Sequence, residues 1–299
     1  MIYRLLIVLA TLIWGSSFVM VKDVTDYLDP SLILLVRFAV AAVVLALVFA
    51  PKKRHLYFQR SYVLIGLMFG VALFFAYYVQ TWGVVFTTPG KNAFLTGTYC
   101  VMVPFLAWAV SRKRPTAFNL GAAVLCIAGI GLVSLGDVDG FNIGDGLTLL
   151  CAFFYAVHIV LVFKFSEGRD IFVLTMWQFA GVALCSVVAM VVVGASPAAF
   201  GVLDAGQWGQ LAYLALCCTT LALLFQNIGQ ANIPPASASL LLSLESPFGV
   251  AFSVALGAEV LQPKTLLGFV LIFAAILISE VLPDVMAKRR EPSEGSAEG

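Results

Sequence analysis

One acidic residue stands out because it lies inside an apolar stretch. Glu245 is ten residues past Pro235, within an apolar run over 235–257. A helix that begins at Pro235 would carry this carboxyl about 15 Å along its axis, near the centre of a bilayer. Ionisable groups are costly at that depth and mark substrate or proton sites. We therefore predict a role in binding or proton coupling. The alternative is a protonated carboxyl that locks two helices together.

Other polar residues in apolar stretches are candidates for the same site. His158 could take part in proton coupling, also with Glu245, or be a neutral hydrogen-bonding group. Arg37 could bind an anion, extend outward to water or anchor a neighbouring helix, and we expect an anchor. Lys91 and Asn92 begin an apolar segment, where the cation could attract carboxylates or simply be solvated. Further candidates for a cavity lining are Tyr99, Gln80, Gln226, Trp14, Ser17, Thr96 and Ser243.

Two prolines, Pro104 and Pro247, fall inside apolar segments. Each removes a backbone donor from its helix. A hinge that gates the cavity and a static kink that improves packing are both compatible with such a proline.

Patterns for other chemistry are missing. The six cysteines lie in apolar runs without a C-x-x-C or Cys/His spacing, so we expect neither a metal site nor a cofactor. The sequence has no H-E-x-x-H, G-x-S-x-G or Walker motif, and we do not expect an enzyme. The net charge of +1 indicates no nucleic-acid partner. An intramembrane enzyme and a receptor or structural membrane protein remain as alternatives.

The composition places these residues in a membrane. The chain of 299 residues is 62% hydrophobic and 11% charged, whereas soluble domains carry roughly 25% charged residues. Its apolar runs are continuous rather than alternating, which favours helices over barrel strands. Ten segments have about the length of a span, namely 5–21, 31–50, 62–86, 89–110, 118–136, 146–163, 171–194, 208–229, 235–257 and 264–282.

Basic residues predict the orientation. An inside N-terminus puts the clusters at 52–54, 112–114 and 288–290 on the cytoplasmic side, as membrane proteins prefer. We therefore expect a multi-pass protein of the cell membrane with both termini cytoplasmic. The polar residues 284–299 predict a disordered cytoplasmic tail.

An internal repeat organises the segments. An offset of 141 aligns 12–19 with 153–160 and Arg37 with Gln178, and an offset of 146 aligns Gln80 with Gln226 and Tyr99 with Glu245. We predict two five-helix repeats, 1–136 and 144–283. Because five is odd, the second repeat enters the membrane inverted, with a site near the midplane between the halves.

Several motifs resemble the EamA-type drug/metabolite transporter superfamily. They are 12–18 (LIWGSSF), 36–38 (VRF), 88–97 (TPGKNAFLTG) with Tyr99 and Pro104, 244–247 (LESP) and 257–259 (GAE). The resemblance covers residues 1–282, although Ser246 separates Glu245 from a proline that usually follows directly in the family. It implies a cell-membrane permease, often an exporter of metabolites or amino acids.

The sequence thus predicts an all-α membrane protein of ten transmembrane helices in two inverted five-helix repeats. Its predicted function is secondary-active export of a small polar metabolite, such as an amino acid or a related compound, by alternating access. Proton coupling, exchange and facilitated diffusion all stay open, as do import and a homo-oligomeric state. The expected partners are a small-molecule substrate and the lipid bilayer.

Overall fold

The computed structural model describes residues 1–111, 114–135, 141–233, 238, 241–258, 260, 262–280 and 282. Within these residues all regular structure is helical. The α-helices are α1 (Ile2–Val24), α2 (Pro30–Tyr57), α3 (Arg60–Phe86), α4 (Pro89–Gly97), α5 (Tyr99–Ser111), α6 (Ala117–Leu135), α7 (Ile143–Phe165), α8 (Ile171–Val193), α9 (Ala205–Tyr213), α10 (Ala222–Asn232), α11 (Glu245–Ala255) and α12 (Pro263–Glu280).

Seven stretches of the described chain are long and apolar enough to cross a membrane. They are Ile2–Val24, Pro30–Val48, Arg60–Phe86, Pro89–Ala109, Ile143–Phe165, Ile171–Val193 and Ala205–Asn232. The apolar parts of α6 and α12 are shorter, at 10–17 residues. The predicted class, a helical multi-pass membrane protein, is confirmed. The predicted count of ten spans stays a prediction, since part of 235–257 lies outside the described residues.

Polar caps mark where the helices begin. Asp29 accepts a hydrogen bond from the Ser31 backbone at the start of α2, and Asp170 accepts two at the start of α8. Asn142 and Asp145 form a reciprocal capping box at the start of α7. Such side chains satisfy backbone donors that the first helical turn leaves unpaired. The caps thus fix the connections between consecutive helices.

The segment predicted as one helix over 89–110 is discontinuous. It breaks at Thr98, whose backbone donates to Leu95 three residues earlier, and α5 then begins at Tyr99. A second break precedes α11, where the Leu244 backbone donates to Leu241 in the same way. These tight bonds replace the ordinary helical ones for one turn.

The two broken helices cross each other closely. The Ser246 hydroxyl of α11 donates to the Ala93 carbonyl of α4 at 3.0 Å, and a Cβ on Gly97 would overlap the Ser246 Oγ. Pro247 lies in the first turn of α11, directly after the turn at Ser243 and Leu244. Its role as a hinge or as a static kink stays a prediction. Pro104 does lie inside α5.

Close helix contacts also join the two parts of the chain. A Cβ on Gly70 of α3 would stand 2.8 Å from the Cα of Gly181 in α8, so this crossing accepts only glycine. At the Gly83–Gly144 crossing α3 packs against α7. The chain thus packs around a centre that α1, α3, α4, α7, α10 and α11 surround.

The predicted limits of the repeats and the tail touch residues that the structure does not describe. Gly136 and Pro283 lie outside the described residues, and so does the predicted tail, 284–299. The division into 1–136, 144–283 and 284–299 therefore stays a prediction.

Candidate functional site

A small central cavity lies between α1, α3, α5, α7, α10 and α11. Six of the residues that the sequence singled out line it: Glu245, Tyr99, Gln80, Gln226, Trp14 and Ser17. The other lining residues are Phe18, Tyr77, Tyr155, Ile159 and Leu242. The helix breaks bring two of these residues to the wall, because Tyr99 begins α5 and Glu245 begins α11.

Glu245 is the acid of this cavity. Its side chain is buried, and the Tyr99 phenol lines the same cavity. Among the described residues no Lys, Arg or His nitrogen lies within 4.0 Å of it. The carboxyl thus faces the cavity without a cation of the protein beside it.

Aromatic rings form one wall of the cavity. The ring of Tyr155 meets that of Tyr77 edge-on at 5.5 Å and lies 6.1 Å from that of Tyr99. The Tyr155 hydroxyl donates to Gln80 Oε1 at 3.0 Å, and Gln80 Nε2 donates to Thr96 Oγ1 at 3.0 Å. Thr96 therefore fixes the position of the Gln80 side chain and does not line the cavity itself.

The opposite wall involves a wide helical turn. Residues Leu214–Leu221 form a π-helical segment between α9 and α10, and Trp14 Nε1 donates to the Cys218 carbonyl in it at 2.7 Å. Ser17 Oγ donates to the Trp14 carbonyl at 2.8 Å. Gln226, by contrast, has no hydrogen-bond partner in the described part of the chain, so its amide is available to a ligand.

A second small cavity adjoins the first and shares Ser17, Phe18, Tyr77 and Gln80 with it. Arg37 lines this cavity and is only 2% exposed, so the alternative in which it extends outward to water is wrong. Its Nε donates to Thr219 Oγ1 at 2.9 Å, and its guanidinium carbon lies 5.1 Å from the Tyr77 ring centroid.

Lys91 is not a solvated helix-end lysine. It is 2% exposed, and its ammonium lies 2.9 Å from the carboxylate of Asp145, whose side chain is fully buried. Asp145 also accepts a hydrogen bond from Thr87 Oγ1 at 3.1 Å. The adjacent Asn92 donates to Thr148 Oγ1 at 2.7 Å and lines the second cavity. Lys91 therefore joins α4 to α7 instead of facing water.

The remaining candidates lie outside both cavity linings. His158 is fully buried beside Phe69 and Gln178, and neither ring nitrogen meets a hydrogen-bond partner among the described residues. The predicted pairing of His158 with Glu245 is thus not formed. Ser243 is buried in the turn before Glu245. Pro104 and Pro247 line neither cavity.

Four residues of the cavity walls and their supports are not among the predicted ones, namely Asp145, Tyr155, Tyr77 and Thr219. A signal for Tyr155 was present, because it follows the same offset of 141 that pairs it with Trp14. No comparable signal pointed to Thr219.

Comparison with known proteins identifies relatives over nearly the whole chain. The model of the EamA-like transporter family matches twice, at residues 1–135 and 142–280. An "Uncharacterized transporter" of Archaeoglobus fulgidus is 31% identical over 277 residues, covering 90% of this chain and 83% of that protein. The "Uncharacterized transporter YyaM" of Bacillus subtilis is 24% identical, with 88% of each chain covered.

A solved crystal structure has the same fold. It superposes with a TM-score of 0.71 at 15% sequence identity, over 97% of this chain and 98% of the other. The family matches indicate a membrane transporter, and a cavity inside an apolar helical bundle is what such a protein requires. The chain belongs to the EamA-like transporter family and is a multi-pass membrane transporter.

Proposed function

We propose that the protein is a secondary-active exporter of a small polar metabolite, such as an amino acid or a related compound, and that Glu245 couples transport to protons. The carrying observation is the buried carboxyl of Glu245, which faces the central cavity with no protein cation beside it. A carboxyl in this setting can carry a proton across the membrane. Export, the cell membrane as location and cytoplasmic termini follow from the family resemblance and the distribution of basic residues.

Two inverted five-helix repeats would supply the moving parts. The helix breaks at Thr98 and Leu244 support them, since these residues are repeat mates at an offset of 146 and make the same backbone bond three residues back. The two matches of the family model support them as well. In transporters of this kind broken helices meet at a site near the midplane.

The unequal state of the two halves supports alternating access. In the first half Ser17, Arg37 and Thr81 line an open cavity. Their repeat mates His158, Gln178 and Asn227 are buried, and each has a side-chain atom without a hydrogen-bond partner among the described residues. Such atoms cost about 1–3 kcal/mol each. A second state that opens this cluster to water would satisfy them while closing the first cavity.

The cavity walls favour a polar, partly apolar substrate. Gln226 offers an unengaged amide, Glu245 offers a carboxyl, and tyrosine rings surround both. Apolar walls with a few placed polar groups are typical of small-molecule sites.

Transport in reconstituted vesicles tests this function. Purified protein is incorporated into vesicles, a pH gradient is imposed, and the movement of a labelled metabolite panel is followed. We expect Glu245→Gln to abolish accumulation driven by the pH gradient but to keep exchange of substrate across the membrane at equal pH. Glu167→Gln is the matched control, because Glu167 is exposed in the loop between α7 and α8.

The outcomes separate the alternatives. A panel in which nothing moves favours a receptor or structural protein, and a panel member that is chemically altered favours an enzyme. Transport by Glu245→Gln with the pH dependence of the wild type would remove Glu245 from proton coupling.

A further inference from the structure

Arg37 is a buried cation with no acidic partner among the described residues. Only its Nε makes a hydrogen bond within the described chain, to Thr219 Oγ1, and no described carboxylate lies within 4.0 Å of the guanidinium. Burying a charge costs several kcal/mol unless a counter-charge offsets the lost hydration. Lys91 illustrates the usual solution, because Asp145 neutralises it at 2.9 Å. Arg37 has no such counter-ion among the described residues.

The nearby Tyr77 ring does not replace a counter-ion. A cation over an aromatic face at 5.1 Å gains less free energy than the burial of its charge costs. A neutral residue could bond to Thr219 equally well, and the repeat mate of Arg37 is indeed the neutral Gln178. A purely structural role therefore does not account for the charge.

The charge faces the space that Glu245 also faces. The two adjoining cavities share four lining residues, and one of these is Tyr77, whose ring lies 5.1 Å from the Arg37 guanidinium carbon. Each charge lacks an ion-pair partner among the described residues. The cavity thus has a cationic end and an acidic end.

A second polar group completes the cationic end. Asn92 lines the same cavity as Arg37 and is fully buried, and its Oδ1 has no hydrogen-bond partner in the described part of the chain. A buried acceptor without a donor carries a desolvation cost that a bound ligand can remove. Arg37 and Asn92 together therefore match a ligand with an anionic group and a hydrogen-bond donor next to it.

We propose that Arg37 and Asn92 form a subsite that binds a carboxylate of the transported molecule, with the rest of that molecule directed toward Glu245. That this molecule is transported rests on the proposed function, but binding of a carboxylate at Arg37 does not. The guanidinium offers terminal N–H groups to the two carboxylate oxygens, a geometry that arginine favours. The Asn92 Oδ1 accepts from the neighbouring donor.

Matched ligand pairs test the subsite on the purified full-length protein in nanodiscs. The probes are propionate against propionamide and L-alanine against L-alaninamide, each titrated while thermal unfolding is followed. We expect the carboxylates, but not the amides, to raise the unfolding temperature of the wild type. Arg37→Gln is expected to weaken carboxylate binding about 10- to 100-fold, since a hydrogen bond to a charged group contributes roughly 1.5–3 kcal/mol.

Control variants separate binding from folding. Arg37→Lys keeps the charge and is expected to keep part of the carboxylate preference, and Arg169→Gln changes a loop arginine that lines neither cavity. Asn92→Asp leaves Arg37 in place and supplies a competing carboxylate, so it is expected to lower carboxylate binding at least about tenfold. This variant keeps the test decisive if Arg37→Gln does not fold.

A wild type that does not prefer the carboxylate over the amide overturns the proposal. So does an unchanged preference in both Arg37→Gln and Asn92→Asp. The proposed function is judged separately in vesicles: a protein that binds propionate through Arg37 but moves no metabolite keeps the subsite and loses the transporter mechanism.

Discussion

The ion pair between Lys91 and Asp145 is expected to be a main determinant of stability. Both side chains are buried, at 2% and 0% exposure, and the pair connects α4 to α7. Asp145→Asn keeps the size of the side chain, and its amide oxygen can still accept from Thr87. It removes the charge that neutralises Lys91, together with the acceptor for the Asn142 backbone. Leaving one partner of a buried pair unpaired costs about 3–5 kcal/mol, and we expect that loss here.

A double-mutant cycle in detergent measures this loss. The free energy of unfolding is compared for the wild type, Asp145→Asn, Lys91→Met and the combination of the two. The combination is expected to recover most of the stability, because neither member of this pair is then left as a buried charge without the other. Lys53→Gln serves as the control, since the pair of Lys53 with Asp170 is about one-fifth exposed. A partly solvated pair contributes about 1 kcal/mol or less.

Two results would contradict the reasoning. In the first, Asp145→Asn costs no more than Lys53→Gln, so burial does not strengthen the pair. In the second, the combined variant is less stable than Asp145→Asn alone, so Lys91 stabilises the protein by packing rather than by charge.

Two further substitutions test the geometry of the cavity walls. Gly97→Ala places a methyl group against Ser246 and is expected to cost about 1–3 kcal/mol in unfolding free energy. Gly121→Ala is the control and is expected to be neutral, because nothing lies within 4 Å of a Cβ at that position. Equal stability of the two variants would refute the close crossing. Trp14→Phe removes the hydrogen bond to the Cys218 carbonyl. We expect the unfolding free energy to fall by about 1 kcal/mol and substrate binding, measured by uptake, to weaken. An unchanged unfolding free energy together with unchanged uptake would exclude a role of this bond.

The sequence predicted the cavity residues better than their partners. Polar residues such as Gln80, Gln226 and Glu245 are expensive in lipid, so their presence inside apolar runs already indicates an interior position. The offset that aligns Tyr99 with Glu245 also predicted that they lie at matching depths. In the structure both residues line one cavity.

What the sequence could not provide was which side chains meet across the fold. Arg37 is fixed by Thr219, which is 182 positions away and lies in a π-helical turn that no local pattern marks. The break at Thr98 directly follows Gly97, and the contact that requires a glycine there is the crossing with Ser246, which lies far away along the chain. Contacts of this kind depend on tertiary packing, which composition and periodicity do not encode.

The pairing of Lys91 with Asp145 also has a consequence for biosynthesis. The stretch that contains Lys91, Pro89–Ala109, has a mean hydropathy of 1.2, the lowest of the seven candidate spans found in the described chain. Its counter-charge is synthesised 54 residues later, which corresponds to about 3–11 s at 5–20 residues per second. During this interval Asp145 is not yet available to neutralise Lys91 in the least apolar of these spans. We therefore expect this span to be held more firmly in the bilayer once α7 has been synthesised, so that the second part of the protein supports the integration of the first.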